Sequence, residues 1–538
     1  MKILDKLTDT ILIQLLSLIT IFLLSWASFF NIGNGFYGDP FHQGEYLAAL
    51  QLKLQGMSFY SIHGAMDWLP GLVSIKLFGL KHYFLFIKII YASLSLFSCF
   101  LLWIVTSLFI KNKQKNINFF VLAVLPFLSV HMVSYKDSFL LLSFFIFLLL
   151  ESHYKDYKSL LMSNLLEVFL GFFLALNFIW SFERGLAGLF SIGIASMYYL
   201  FFKRQRLITF FSFFLTLILF AYYQFFSFND YLLNLFFLFD TSAQWSYGYK
   251  KITPIFYTLL GVIPNIYAAY HLLKRLVTNR KASDCPLLLT MLVLMVFMAK
   301  VGLNRADFGH ILMALWMPAI IFIYLHNFHH FLIPKNVSLI LITSLCLLSL
   351  KNPHNYWLLL LPILLIIQMR YTRALKKWDN KKINIIFLIF LLIFCILKLF
   401  YDIHAHKYDW IAFTRSPPAN ANLVNPGVNW INSIFIERNI SCVFDMSNNG
   451  VINGILNLPS CTKYSYLVYA SKNYEANIIE DLQIKRPEVI IYSTKFWSYA
   501  IDGKPMYSRF IELNKYILNA YPYEECKFDY CLRYLSKN

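Results

Sequence analysis

Apolar runs of about 20 residues, the length a helix needs to cross the hydrocarbon core of a bilayer, recur from near the N-terminus to about residue 400. Short connectors rich in lysine and arginine separate them. In hydrocarbon every backbone amide and carbonyl must be paired within such a segment, so each run reads as a helix. A chain built this way cannot fold as a water-soluble globule. Its composition agrees: 59% of residues are hydrophobic, 19% aromatic and 14% charged. Ordinary globular chains carry about 25% charged residues. The fold class is a polytopic α-helical membrane protein.

The net charge of +19 would suggest nucleic acid in a soluble chain. Here the cations fall in clusters between apolar runs: Lys111/Lys113/Lys115, Lys155/Lys158, Lys203/Arg204/Arg206, Lys274/Arg275/Arg280/Lys281 and Arg370/Arg373/Lys376/Lys377/Lys381/Lys382. That pattern marks cytoplasmic connectors and attraction to anionic lipid headgroups. Membrane lipids are therefore expected partners and nucleic acid is not. Lys2 and Lys6 precede the first run, Ile11–Phe30, which puts the N-terminus in the cytoplasm and makes that run an uncleaved anchor. A first outer loop spans 31–83, with Glu45–Gln55 as a short interfacial helix and Leu69–Phe78 too short to span. Runs at 83–110, 117–133, 138–152, 161–180, 185–202, 207–227, 254–273, 285–302, 310–326, 336–350, 356–369 and 383–400 follow. Together they predict roughly 13 transmembrane helices in a domain over 1–400.

From Tyr401 to the C-terminus no run could span a bilayer. Ile440–Phe444 and Val489–Ser493 read as strands, Ala476–Ile484 and Ser508–Asn519 as helices, and the alternation predicts an α/β domain over 401–538 on the outer side. Cys99, Cys285, Cys346 and Cys395 lie in or near apolar helices, where a thiol is a small hydrophobe. Cys442, Cys461, Cys526 and Cys531 all fall in the tail, where an oxidising compartment favours disulfides. Cys442–Cys461 with Cys526–Cys531 is the simplest of three pairings, and unpaired thiols are the alternative.

Ionisable groups near hydrocarbon mark functional sites by default. On the outer side the first loop carries Asp39, His42, Glu45, His63 and Asp67; later connectors carry Asp137, Glu183-Arg184, Lys250-Lys251 and Arg305-Ala-Asp307-Phe-Gly-His310. A carboxylate among apolar walls can serve as a general base, and arginine grips phosphate oxygens in pairs. Tryptophan and tyrosine can stack on sugar faces.

The first loop, Asp39-x-x-His42-x-x-Glu45-Tyr46, runs on to Gly56-x-x-x-Tyr60 and Trp68-Leu-Pro…Lys76-Leu-Phe-Gly79. It resembles the GT-C superfamily of integral-membrane glycosyltransferases. Within it the chain is similar to the bacterial branch of lipid A aminoarabinose transferases and protein O-mannosyltransferase-like proteins. Asn304-Arg305-Ala-Asp307-x-Gly309-His310 and Phe444-Asp445-x-Ser447-Asn448-x-Gly450 look like segments of uncharacterised members. The resemblance implies an inverting enzyme in the bacterial inner membrane, with a periplasmic C-terminal domain. It would move a sugar from a polyprenyl-phosphate donor to a glycan, lipid or protein acceptor. Asp39 matches the catalytic base, with Glu45 second, and Asp137 matches a further acidic residue by loop position only. Where many members carry an adjacent Asp-Glu pair, this chain has His42-Gln43. Arg184, Lys250, Arg305 and His310 are the donor-phosphate candidates, and His42, His63, Asp67 and Asp307 complete the substrate-binding set. No cofactor is expected, and a divalent metal stays open.

Blander readings stand beside these. Asp39 can cap the helix before Glu45, Glu183 can pair with Arg184 and Arg305 with Asp307, Lys250 can snorkel, and Glu167 reads as a satisfied surface acid. A polysaccharide ligase or polymerase, or a lipid-linked sugar transporter, is the alternative function.

Overall fold

The computed structural model describes residues 69–78, 83–109, 131–156, 160–203, 206–223, 252–278, 285–303, 308–329, 426–447, 459–462, 472–493 and 506–536, with scattered single positions besides. The anchor 11–30, the runs from 336 to 400, Cys346 and Cys395 lie almost wholly or wholly outside those residues, as does 117–130. The chain divides into two compact units, one holding 91–218 and 249–405 with the N-terminus, the other holding 32–90, 219–248 and 406–538.

The described part is mainly helical. The helices are α1 (Leu69–Phe78), α2 (Tyr83–Leu108), α3 (Ser138–Asp156), α4 (Leu160–Trp180), α5 (Phe182–Gly188), α6 (Ile194–Lys203), α7 (Leu207–Tyr222), α8 (Ile252–Thr278), α9 (Cys285–Leu303), α10 (Phe308–Met313) and α11 (Trp316–His329). They follow the apolar runs closely. A π-turn at Leu189–Gly193 joins α5 to α6, making one long rod. Four stretches, Ile89–Leu108, Leu160–Trp180, Phe182–Lys203 and Cys285–Leu303, are long and apolar enough to cross a membrane. Large apolar side chains such as Leu161, Phe169, Phe211, Phe214, Ile218, Leu259 and Ile266 face outward. In water they would form patches no monomer tolerates; in hydrocarbon they are at home. Both observations support a membrane protein.

Several hydroxyls inside these helices find partners on their own backbone. Thr106 and Ser107 donate to the carbonyls of Leu102 and Trp103, each at 2.7 Å, as expected of hydroxyls in an apolar helix. Two glycines let helices touch. A Cβ at Gly171 of α4 would lie 2.1 Å from the Thr209 carbonyl of α7, and Ser212 donates across the same crossing to Val168 O at 2.8 Å. Small residues and short hydrogen bonds are how helices associate where burying apolar surface gains nothing over lipid. A Cβ at Gly302 of α9 would meet the Ala314 side chain and His310 O, both at 2.6 Å, so α10 folds tightly back on α9. Between α10 and α11 the helix breaks. Asn265 of α8, next to Pro264, donates from Nδ2 to Ala314 O at 3.0 Å, satisfying a carbonyl at that break.

The tail forms an α/β sandwich. Its elements are α12 (Pro426–Arg438), β1 (Phe444–Asp445), α13 (Glu475–Lys485), β2 (Val489–Ser493), α14 (Met506–Arg509), α15 (Ile511–Ala520), β3 (Tyr523–Lys527) and β4 (Tyr530–Tyr534). The sheet order is β1-β2-β4-β3, with β1 parallel to β2 and the other pairs antiparallel. Strand alternation divides the core. Val489 and Ile491 pack with Trp430, Ile431 and Phe435 of α12, whereas Ile490 packs with Ile478 and Leu482 of α13 and Leu513 and Ile517 of α15. The expected β2 and the helices near α13 and α15 are present. The first strand is shorter than Ile440–Phe444, and α12 and the β3–β4 hairpin were not anticipated. Both simplest disulfides form, Cys442–Cys461 and Cys526–Cys531. The second joins residues directly opposite each other across the hairpin.

Two outcomes test this packing. Gly171→Leu is expected to lower stability by about 1–3 kcal/mol through overpacking, read as a lower melting temperature in detergent; unchanged melting would disprove the contact. Asp445 is buried at the end of β1, and burial pushes its carboxyl up to about 7 against the opposing donation from Ser447 N at 2.7 Å. Between the ordinary carboxylate range and that value the folded tail keeps a proton the unfolded tail releases, so stability falls as pH rises through the interval. Proteolysis of the full chain in urea should find the tail more resistant at about pH 5 than at pH 8, and Asp445→Asn should flatten that difference.

Candidate functional site

The expected site residues that the structure describes are Asp137, Arg184 and His310. Asp39, His42, Glu45, His63, Asp67, Lys250, Arg305 and Asp307 lie outside the described residues. In sequence, Arg305 and Asp307 belong to the connection between α9 and α10.

The site is built on a turn. Ser134-Tyr135-Lys136-Asp137 closes a single 3-10 turn ahead of α3 with reciprocal caps: Ser134 Oγ accepts from Lys136 N at 3.3 Å, and Asp137 Oδ2 accepts from Ser134 N at 2.8 Å and Ser134 Oγ at 3.0 Å. Neighbouring helices hold the turn in place. Tyr91 of α2 stacks on Tyr135 with ring centroids 3.8 Å apart. Ser98 bonds Ser134 O and the Ser138 hydroxyl, both at 2.8 Å. Trp180, ending α4, donates to Tyr135 O at 3.2 Å.

Opposite the turn, α5 starts at Ser181 after a sharp reversal from α4. A Cβ at Gly185 would sit 2.7 Å from Phe178 Cα, so only glycine permits the approach. Asn177 Nδ2 donates to Arg184 O at 2.8 Å, fixing the backbone behind that side chain. Arg184 Nε then donates to Asp137 Oδ1 at 2.9 Å, with side chains 3% and 0% exposed. Nη1 donates to Glu183 Oε2 at 2.8 Å, and the Glu183 side chain is 41% exposed. Nη2 approaches the Met313 sulfur of α10 at 3.5 Å. His310, half-buried, lies on that same short helix.

Residues from three separate expected connectors thus gather at one end of the helical bundle. Asp137 and Arg184 are in direct contact, and α10 with His310 abuts them through Met313. The Asp137 carboxylate accepts from three donors, Ser134 N, Ser134 Oγ and Arg184 Nε, and is sealed from solvent. Glu183 does pair with Arg184, but as a second carboxylate rather than the sole partner. Ser134, Asn177 and Met313 were missed. Only Ser134 left a signal, in the spacing Ser134-x-x-Asp137 typical of a reciprocal cap.

A second buried pair lies at the other end of α3, about 21 Å along the axis at the helical rise per residue. Arg206 Nη2 donates to Glu151 Oε1 at 2.7 Å, Tyr199 donates to Glu151 Oε2 at 2.7 Å, and the guanidinium lies over the Phe147 and Tyr199 rings. Arg206, grouped above with the cytoplasmic cations, is therefore an internal counter-ion. Glu167 is likewise buried in α4 rather than at the surface. Among the described residues the one cluster of metal-ligand types, Glu524 with Cys526 and Cys531, has both sulfurs committed to a disulfide.

No family model, curated protein or solved structure matches the chain. The functional reading therefore rests on its own residues.

The ion pair makes a measurable commitment. Asp137→Ala should cost about 3–5 kcal/mol, toward the lower figure because Glu183 stays beside Arg184. Replacing both Asp137 and Arg184 by leucine should cost less than the two single changes added together, measured by melting in a double-mutant cycle. Additive losses would show that the two side chains do not interact.

Proposed function

We propose that this protein is a GT-C-like membrane glycosyltransferase. It moves a sugar from a polyprenyl-phosphate-linked donor to an envelope glycan, lipid or protein acceptor at the periplasmic face of the bacterial inner membrane. The observation that supports this best is the Arg184 guanidinium, clamped through Nε by Asp137 at one end of an apolar bundle. An arginine fixed in this way keeps its two terminal nitrogens side by side, the geometry that suits paired phosphate oxygens. Its position among apolar helices is where a lipid-linked phosphate would lodge.

In this reading Asp39, with Glu45 as second candidate, takes the proton from the acceptor hydroxyl. That oxygen attacks the anomeric carbon as the bond to the carrier phosphate breaks, with inversion. Negative charge grows on the departing phosphate, so fixed cations lower the barrier. Arg184, Lys250, Arg305 and His310 are the candidates for that work; His42, His63, Asp67 and Asp307 would line the sugar and acceptor. Asp137 acts through Arg184 and is a positioning residue. The two disulfides of the tail support an oxidising compartment for residues 401–538.

One observation favours a second reading, a lipid-linked sugar transporter. The break between α10 and α11, bridged by Asn265, is of the kind that discontinuous transporter helices use. A single experiment separates the two. With purified full-length protein and a polyprenyl-phosphate sugar, mass spectrometry should detect sugar on an envelope acceptor, and Asp39→Asn should abolish transfer by about a hundredfold or more while insertion and expression persist. Full activity of Asp39→Asn removes the base assignment, and translocation without transfer supports the transporter.

A further inference from the structure

We propose that the Cys526–Cys531 disulfide is a thiol–disulfide exchange site. A dithiol opens it by attacking Cys526 Sγ, and the opening releases β3 while the rest of the tail stays folded. The proposal concerns the tail alone and does not rest on the glycosyltransferase reading. The two disulfides of the tail differ in access. Cys526 lies on β3, whose five residues are all exposed, and its partner Cys531 is fully buried on β4. Cys461, by contrast, is buried and Cys442 half-buried, beside the bridge between Val443 and Ser460. Exchange needs a thiolate to reach one sulfur while the other departs. In the hairpin the reachable sulfur is that of Cys526, and the Cys531 sulfur is the leaving group.

Electrons and protons balance with the dithiol as the one co-reactant. Its thiolate bonds to Cys526 Sγ, the Cys526–Cys531 bond breaks, and Cys531 Sγ leaves with the electron pair and takes a proton. The second thiol of the dithiol then attacks its own sulfur in that mixed disulfide. Cys526 Sγ leaves and is protonated in turn. The hairpin has gained two electrons and two protons, and the dithiol ends as a disulfide.

Opening is local because of how the hairpin is held. Among the described residues β3 pairs with β4 alone and contributes no buried side chain. β4 also pairs with β2, where Cys531 stands opposite Tyr492, and its Tyr530 and Leu532 belong to the core. The turn is a poor clasp. Lys527 pairs with Tyr530, leaving Phe528-Asp529 as a two-residue turn. Phe528 sits at φ 57°, a left-handed position that such turns usually give to glycine or asparagine. The side-chain links are surface contacts of small worth: Arg533 Nη2 to Glu524 Oε1 at 2.9 Å and Tyr534 OH to Glu525 Oε2 at 3.2 Å. Once the covalent link is cut, β3 frays from an edge where it has no core to anchor it.

The test uses purified full-length protein in detergent, with dithiothreitol as the dithiol. Free thiols are trapped with N-ethylmaleimide and read cysteine by cysteine by mass spectrometry. Cys526 and Cys531 should be trapped together, at least about tenfold faster than Cys442 and Cys461. With the monothiol 2-mercaptoethanol and an acid quench, the mixed disulfide should sit on Cys526. At an exposure that opens the hairpin alone, amide exchange over 523–527 should rise at least about tenfold while that of β1 and β2 holds. A double variant, Cys526→Ser with Cys531→Ala, should show the same raised exchange without any reductant. Equal opening rates for the two disulfides, or the adduct on Cys531, would overturn the exchange site. Unchanged exchange over 523–527 in both the reduced protein and the double variant would overturn the release of β3. A double variant in which β1 and β2 also lose protection would overturn the claim that opening is local.

Discussion

A charge placed among apolar helices must be paired, because the penalty for leaving water alone amounts to several kcal/mol, and most of the arrangement described here follows from that requirement. Asp137 and Arg184 come from distant parts of the sequence, and bringing them to 2.9 Å fixes three things at once. It sets the height of the α3 start against α5. It forces α4 to end where Trp180 can reach Tyr135 O. It also requires glycine at 185, since α5 must pass close to Phe178. The polar contacts around the turn, from Ser98, Ser134 and Asn177, complete the hydrogen bonding that the buried pair demands.

The same requirement explains what the sequence could and could not disclose. Apolar runs predicted α2 to α9 to within a few residues, because a helix in hydrocarbon needs length and little else; the single run 310–326 instead divides into α10 and α11. Val489–Ser493 was legible for a similar reason, as a continuous apolar run buried on both faces. The β3–β4 hairpin was not. Its β3 residues are exposed throughout, so no alternation betrays them, and what aligns the two strands is the pairing of Cys526 with Cys531. Arg206 and Glu167 misled because counting charges by run and connector cannot tell a solvated cation from one that meets Glu151 across a bundle. Arg206 also sits at a left-handed backbone position, φ 70°, which turns its side chain inward at a junction the pattern alone places at the surface.

The candidate site was half legible. That Asp137, Arg184 and the segment ending in His310 belong to one end of the bundle followed from the alternation of connectors. Which atoms meet did not, since Asn177 and Met313 lie inside apolar runs and look like ordinary helix interior. The two carboxylates on Arg184 are correspondingly unlike: Asp137, on Nε, is sealed from solvent, whereas Glu183, on Nη1, is part-exposed.

Two tethers on α3 have a mechanical meaning. With an ion pair at its start and another near its end, that helix can neither slide nor roll against its neighbours without breaking one of them. Among the described residues the facing wall has no such tether shown: α10 is a single turn and a half, joined to α11 by a break that one asparagine amide spans. The bundle is a fixed anvil on one side and a jointed arm on the other.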